Sequence, residues 1–161
     1  MAPLGDEIGK RSPFDLPEQE AVLNLFRTSD RLQHRFARLF AEYDLTASQY
    51  NVLRILRGEG RPLECMEIAR RTITAVPGIT GLIDRLERKL PPLVRRERCS
   101  EDRRVVRVAV TPEGLELLGR LDAPVRDLHR KVLEHFERRE IAELNRLLEK
   151  ARQICEQEDP G

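Results

Sequence analysis

The side chains best suited to intermolecular contacts are arginines around a short polar segment. Arg98 precedes this segment, and Arg103 and Arg104 stand at its end. A guanidinium group can bind the phosphates of a nucleic acid or enter the minor groove of DNA. Because the segment reads as an exposed loop that buries nothing, the three arginines favour contact with DNA over a structural role.

Two β-like stretches must position these arginines. Residues 93–98 and 105–110 flank the segment, and Val106, Val108 and Val110 alternate with polar neighbours so that they can face a core while Arg107 faces solvent. The pattern predicts an antiparallel hairpin with a tip of about six residues.

A helix is predicted directly before the hairpin. Thr74 is a suitable N-cap, and Pro77 fits the first turn, where a missing N–H costs nothing. The apolar stripe of this helix is Ile79, Leu82, Ile83, Leu86 and Leu90, and its other face carries Thr80, Gly81, Asp84, Arg85, Arg88 and Lys89. Since a helix fits the major groove and a basic hairpin can reach the backbone, the unit predicts a recognition helix followed by a wing.

Two residues of this helix keep alternative roles. Arg85 can form a bidentate pair with a guanine edge, or it can belong to a surface ion-pair network with Asp84 and Arg88. Thr80 can contact a phosphate or a thymine methyl group, or it can simply face solvent.

No other residues form a catalytic or metal-binding pattern. Cys65, Cys99 and Cys155 are too widely spaced for a disulfide framework or a zinc site, and they fit a reducing cytosol. We find no histidine pair with metal-ligand spacing, no nucleophile–base pair and no glycine-rich phosphate loop, so we expect no enzymatic activity, no metal and no cofactor. Cys99 keeps a speculative redox role, because nearby arginines favour the thiolate; the alternative is an incidental exposed cysteine.

The charge distribution agrees with a nucleic-acid partner. The whole chain has a net charge of +1. Residues 61–110 hold 12 Lys/Arg and 7 Asp/Glu, a net charge of +5, whereas the remaining residues hold 17 and 21, a net charge of −4. Basic charge is therefore concentrated in the predicted helix–hairpin unit, although a solvated arginine-rich surface would give the same count.

The rest of the chain is predicted to be helical. Helices are expected over residues 17–43, from a capping box at Thr46 and Gln49 to residue 57, and over residues 63–71. A further helix begins at Thr111, with a kink at Pro124, and a last one covers residues 141–154. The fold class is mostly α with a small β-wing: a winged helix-turn-helix head flanked by long N- and C-terminal dimerisation helices.

The predicted domain organisation follows from these elements. Residues 1–16 are expected to be a disordered leader, 17–44 an N-terminal dimerisation helix, 45–110 the winged head and 111–157 the C-terminal dimerisation helices. No apolar run is long enough for a membrane span, so we expect no membrane partner and a cytoplasmic location.

Five motifs in order resemble the MarR (multiple antibiotic resistance regulator) family of transcription factors. They occupy residues 45–53 (LTASQYNVL), 79–87 (ITGLIDRLE), 93–96 (LVRR), 101–105 (EDRRV) and 110–114 (VTPEG). The resemblance is close over residues 45–118 and extends in architecture over residues 17–156.

The resemblance implies a homodimer that binds double-stranded DNA at a palindromic operator, usually as a repressor. It implies that the recognition helix enters the major groove and that the wing enters the minor groove. Carried over to this sequence, the DNA-binding residues are Thr74, Pro77, Thr80, Gly81, Arg85, Arg98, Arg103 and Arg104. Asp102 would stabilise the wing by pairing with a neighbouring arginine.

This sequence departs from the family pattern in two places. Gly81 stands where family members often have an arginine, which removes one expected DNA contact. The link at residues 89–94 (KLPPLV) is about two residues longer than the usual Lys-Gly-Leu-Val link, so the wing angle can differ.

The resemblance also implies a signal that releases the repressor, either a small aromatic effector or an oxidant. His34, Arg38, Tyr43 and Tyr50 are candidates to line an effector cleft between head and dimer helices; the alternative is that they are ordinary core and surface residues. One other class of function stays open at this point, a winged-helix protein-interaction module that has lost DNA binding. An enzyme is the class that the residue pattern argues against.

Overall fold

A computed structural model describes residues 3–72, 78–98 and 106–157 of the protein, with side chains as far as residue 153. Its elements are α1 (Leu4–Glu7), α2 (Pro17–Ala41), α3 (Ala47–Glu59), β1 (Leu63–Glu64), α4 (Cys65–Arg70), α5 (Ile79–Glu87), β2 (Val94–Arg98), β3 (Val106–Val110), α6 (Pro112–Val132) and α7 (Arg138–Gln157). The mostly helical fold with a small antiparallel sheet confirms the predicted fold class.

The start of α3 follows from local sequence alone. The Gln49 backbone N–H donates to the Thr46 hydroxyl at 3.2 Å, and the Thr46 backbone N–H donates to the Gln49 side-chain oxygen at 2.9 Å. These two bonds are the capping box that the sequence predicts, and they satisfy backbone donors that the first helical turn leaves without partners.

The core of the head lies between α3, α4, α5 and the sheet. Val52 and Leu53 of α3 are fully buried, and so are Leu63, Ile68, Ile83, Leu86, Val94 and Val108 from the other elements. Phe40 of α2 stacks on Tyr50 of α3, with ring centroids 4.3 Å apart. Arg57 of α3 makes a bidentate pair with Asp122 of α6, with N–O distances of 2.8 and 3.0 Å. The long helices α2 and α6 are thus joined to the helix-turn-helix.

The sheet has three strands rather than the predicted two. Their order is β1-β3-β2, with Leu63 opposite Val108 and Arg96 also opposite Val108. Residues 63 and 64 were expected to begin a helix, but they pair with β3, and α4 begins only at Cys65. Leu63 is fully buried, and its pairing with β3 places it in a strand. The sequence alone does not show this, because a run of so few apolar residues fits a strand and a helix equally well.

Helix α5 begins later than the sequence predicts. Its N-cap is Gly78, whose φ of 70° lies in the left-handed region, so α5 itself begins at Ile79. Thr74 and Pro77 themselves lie outside the described residues. The predicted C-terminal end of this helix is also wrong, because α5 ends at Glu87. Leu90, assigned to the apolar stripe, lies beyond the end of α5 and is 96% exposed.

The N-terminal segment differs from the disordered leader expected over residues 1–16. Within it, α1 forms, and Leu4 is only 6% exposed. Glu7 accepts a hydrogen bond from Arg31 of α2 at 2.8 Å and lies 3.7 Å from Arg27. The burial of Leu4 and the ion pair of Glu7 with α2 therefore order this segment. The amino-acid composition of the segment predicts neither contact.

The chain divides into two compact units, Met1–Ala123 and Pro124–Gly161. Pro124 lies inside α6, as the sequence predicts, and begins the second unit. In the second unit, α7 carries an amphipathic sequence in which Leu147 stays 48% exposed. Within the described ranges, none of the helices has the length and apolar character needed to cross a bilayer.

Candidate nucleic-acid interface

Helix α5 presents a polar face to solvent. Leu82, Ile83 and Leu86 are buried on the opposite side, which leaves Thr80, Arg85 and Arg88 exposed. The helix is short, and one side is anchored by three apolar residues, so its polar face is held rigidly on the head. Such a face can be inserted into a groove without rearrangement.

The two carboxylates of α5 are both bound by one arginine of the wing. Arg96 of β2 donates from Nη2 to Asp84 Oδ1 at 2.5 Å and from Nη1 to Glu87 Oε2. The Arg96 backbone N–H also donates to Glu87 Oε1 at 3.1 Å. The hydrogen bond with Asp84, followed by that with Glu87, raises the pKa of the Arg96 guanidinium.

This arrangement answers the question left open for Arg85. Among the residues that the structure describes, neither Arg85 nor Arg88 forms an ion pair, because Asp84 is bound by Arg96 instead. The predicted alternative, a network of Arg85 with Asp84 and Arg88, is therefore absent from the described part of the chain. Arg85 of α5 and Arg88, its C-cap, thus remain exposed, and no carboxylate of the described residues is bound to them.

The side chain of Arg85 lies beside Gly81. A Cβ atom built on Gly81 would be 3.9 Å from Arg85 Nη1, which is an ordinary van der Waals distance. The Arg85 side chain therefore runs back along the helix over Gly81, one turn toward the N-terminus. The guanidinium of Arg85 and the exposed Thr80 therefore both lie on the N-terminal half of the polar face.

The wing is described only in part. Arg98, the last residue of β2, is exposed and lies opposite Val106. The other predicted wing residues, Cys99, Asp102, Arg103 and Arg104, lie outside the described residues, so their roles stay predictions. Arg98 shares a face of the sheet with Arg96, because they are two residues apart, and Arg96 points to α5.

The four residues predicted to line an effector cleft are not brought together by the contacts of the described residues. His34 is exposed and its Nδ1 lies 2.9 Å from the Asp30 carbonyl, and Arg38 is also exposed. Tyr43 is half-buried, while Tyr50 stacks on Phe40, and its burial raises the pKa of its hydroxyl. Their role in ligand binding stays a prediction.

An open cavity of about 350 Å³ lies elsewhere, at the junction of α2, α3 and the end of α5. It is lined by Ala41, Asp44, Leu45, Thr46, Gln49 and Lys89. Lys89 Nζ donates to the Asp44 carboxylate at 2.5 Å and to its carbonyl at 2.6 Å. The cavity thus has one cation that is already neutralised.

A second ion-pair cluster, which the sequence motifs do not predict, links α4 to the end of α3. Glu67 accepts from Arg61 at 2.9 Å and from the Glu64 backbone N–H at 3.0 Å, and Glu59 lies 3.0 Å from Arg71. Chiefly through the hydrogen bond from Arg61, the pKa of Glu67 falls to about 2. The short spacing of Glu64 and Glu67 was the only available sequence signal, since an acid three residues after an N-cap is typical of a capping box.

We expect the stability contributed by Glu67 to depend on pH in the acid range. Its pKa is lower in the folded state than the usual 4.5, so the contribution is complete above about pH 4.5 and is lost as pH falls toward 2. The difference in melting temperature between the parent protein and Glu67→Gln should therefore shrink between about pH 7 and about pH 3. Glu116→Gln, which removes an exposed carboxylate from α6, is the control, and a Glu67→Gln difference that is constant with pH would contradict the prediction.

Helix α5, the strands β2 and β3 and the packed helices α3 and α4 together define a winged helix-turn-helix protein. The model of the MarR family matches residues 45–106. The HTH-type transcriptional repressor IacR of Pseudomonas putida is 30% identical over 125 residues, which are 78% of this chain and 73% of that protein. The homoprotocatechuate degradative operon repressor of Escherichia coli is 27% identical over 134 residues, 83% of this chain and 82% of that protein.

Solved structures agree with these relatives. The crystal structure of a MarR transcription factor from Planctomyces limnophilus has 44% sequence identity and a TM-score of 0.63, and the match covers 85% of this chain and 98% of that one. This chain belongs to the MarR family of transcriptional regulators, which confirms the resemblance drawn from its motifs. The family and these relatives are regulators of transcription, and no family of enzymes is indicated.

Proposed function

We propose that this protein is a cytoplasmic transcriptional repressor that binds a palindromic operator as a homodimer. The main observation behind the proposal is the pairing of the charged side chains on the polar face of α5. Both of its carboxylates are bound by Arg96, whereas Arg85 and Arg88 are exposed and have no ion pair among the described residues. An exposed helix face with available guanidinium groups suits the acceptor-rich edge of guanine in the major groove.

The proposed contacts divide between base edges and backbone. Arg85 is assigned to a base edge, and Thr80 and Gly81 allow close approach of the helix to the duplex. Arg98 begins the wing, and Arg103 and Arg104 follow as proposed phosphate or minor-groove contacts, with Asp102 as the wing-stabilising residue. Thr74 and Pro77 are proposed at the N-terminal approach to α5, by analogy with the family.

The proposed dimer is supported by the surface of α2. This helix has 25 residues, yet Phe40 is its one buried residue. Val22 and Leu25 remain more than 40% exposed, and Phe26 is 69% exposed. Exposed apolar side chains on a long helix favour burial against a second subunit. Two heads related by a two-fold axis would then meet successive major grooves, roughly 34–36 Å apart.

We also propose that a small aromatic effector or an oxidant releases the operator. The name of the E. coli relative ties that repressor to the degradation of an aromatic acid, homoprotocatechuate. His34, Arg38, Tyr43 and Tyr50 are the proposed effector residues, and Cys99 is the proposed oxidant target. Isothermal titration with aromatic acids would test the first idea, and peroxide treatment of a Cys99→Ser variant would test the second.

One experiment tests the central proposal. Selection from a random-sequence DNA library with the full chain should recover a palindrome, and gel shifts on that palindrome should weaken steeply as salt is raised. Light scattering of the same preparation should give the mass of a dimer. A stable monomer, or a selection that recovers no common sequence, would contradict the proposal.

A further inference from the structure

The polar side chains of α5 and its C-terminal neighbour carry no net charge by themselves. Asp84 and Glu87 contribute two negative charges, and Arg85 and Arg88 contribute two positive ones. In a helix without further partners, Asp84 and Arg88 stand four residues apart, the spacing at which side chains of opposite charge pair. A face neutralised in this way would have little attraction for DNA phosphates.

The wing changes this balance through a single side chain. Arg96 lies on the same face of the sheet as the buried Val94 and Val108, and this register directs it to α5. There its guanidinium binds Asp84 and Glu87 together, and its backbone N–H donates a second hydrogen bond to Glu87. The carboxylates are drawn to the wing side of the helix, while Arg85 and Arg88 stay exposed.

We propose that Arg96 is a positioning residue that makes α5 competent to bind DNA by occupying both of its carboxylates. Without Arg96, Asp84 and Glu87 would compete with DNA for Arg85 and Arg88 and would repel incoming phosphates. The inference rests on the proposed function, because it explains how the recognition helix keeps its arginines available.

A purely mechanical role is the alternative explanation. Arg96 also joins β2 to α5, so its loss could weaken DNA binding by loosening the head. The two explanations differ in what happens when the carboxylates are neutralised as well. Removal of the negative charges restores binding if their charge is the cause, but it cannot restore a lost mechanical link.

Three variants separate these explanations. Arg96→Met removes the guanidinium and keeps most of the aliphatic stem. The second variant adds Asp84→Asn and Glu87→Gln to it, which removes the charges and keeps oxygen acceptors, including one for the Arg96 backbone N–H. Arg95→Met is the matched control, because Arg95 is the adjacent arginine, points to the opposite face of β2, and pairs with Glu97 at 2.6 Å rather than with α5.

Affinity is measured by fluorescence anisotropy on the operator selected with the parent protein, at several salt concentrations, and melting temperatures are recorded for every variant. We expect Arg96→Met to bind about tenfold more weakly at low salt, with a smaller difference at high salt. The triple variant should recover to within about threefold of the parent, although its melting temperature stays as low as that of Arg96→Met. Arg95→Met should also stay within about threefold.

Either of two results would overturn the inference. One is that Arg96→Met binds the operator as tightly as the parent protein, and the other is that the triple variant binds as weakly as Arg96→Met. If Arg96→Met does not fold, Asp84→Asn with Glu87→Gln in the parent background decides the question. That variant should bind at least as tightly as the parent, and weaker binding would assign the role to the ion-pair geometry. A parent protein that binds no DNA is a different failure, because it contradicts the proposed function itself.

Discussion

Gly114→Ala is expected to destabilise the winged head by about 3 kcal/mol or more. A Cβ atom at this position would lie 2.4 Å from the Leu93 carbonyl oxygen and 2.8 Å from Val110 Cγ2. The clash is with backbone, and that backbone is held on both sides. The Leu93 N–H donates to the Leu86 carbonyl, and the Leu93 carbonyl accepts from the Thr111 N–H, each at 3.1 Å.

The geometry around Gly114 leaves no simple way to relieve this clash. The Gly114 N–H donates to the Thr111 hydroxyl at 3.1 Å, and that hydroxyl donates to the Pro92 carbonyl at 2.7 Å. The first turn of α6 is thereby fixed against the link that leads into β2. Movement of the helix away from Leu93 would break these bonds, so the cost combines steric strain with lost hydrogen bonds.

Chemical denaturation followed by circular dichroism measures this effect, and the same helix offers a matched control. Gly119 has no atom within 4 Å of a built Cβ and lies inside α6. Gly119→Ala should therefore raise the free energy of unfolding by about 0.5–1 kcal/mol, since alanine is the better helix former. Equal denaturation midpoints for Gly114→Ala and the parent protein would show that the close approach at Leu93 is wrong.

Arg85→Ala is expected to lower affinity for the selected operator by about 1–3 kcal/mol, the value of a lost bidentate contact with a base. Arg85 is exposed, it lies over Gly81, and its neighbouring carboxylate is bound by Arg96. It is therefore the long side chain of α5 best placed to enter a groove. Truncation should leave the melting temperature nearly unchanged, because an exposed arginine without an ion pair contributes little to folding.

Competition assays with operators that carry single base changes measure the specificity part of this prediction. The parent should discriminate strongly at one base pair of each half-site, and Arg85→Ala should lose discrimination at that position alone. Arg85→Lys keeps the charge without the planar pair of donors, so it should retain more affinity than specificity. Arg120→Ala, an exposed arginine of α6, is the control. If Arg85→Ala binds every operator as the parent does, Arg85 makes no base contact.

Several features of this protein are determined by short stretches of sequence. The capping box of Thr46 and Gln49 needs only a spacing of three residues, and it forms as predicted. The long helices follow from apolar residues at helical spacing, and the pairing of β2 with β3 follows from two β-like stretches around a polar segment. The predicted alternation holds for the buried Val108, whereas Val106 is 41% exposed. The family membership also follows from motifs that are local and keep their order along the chain. In each case the interacting residues are close in sequence, so the local sequence pattern is enough to predict the structure that forms.

Other features depend on residues that are distant in sequence and meet only in the folded chain. Leu63 becomes a strand residue because β3, about 45 residues later, provides a partner, and no local pattern indicates this pairing. Leu4 is buried in a segment whose composition suggests disorder. The partner of Asp84 could not be predicted either, because the nearby Arg88 was available on the helix and Arg96 belongs to another element. Strand register directs Arg96 to α5, and for this reason only the tertiary structure decides which arginines beside Asp84 stay exposed and without an ion pair among the described residues.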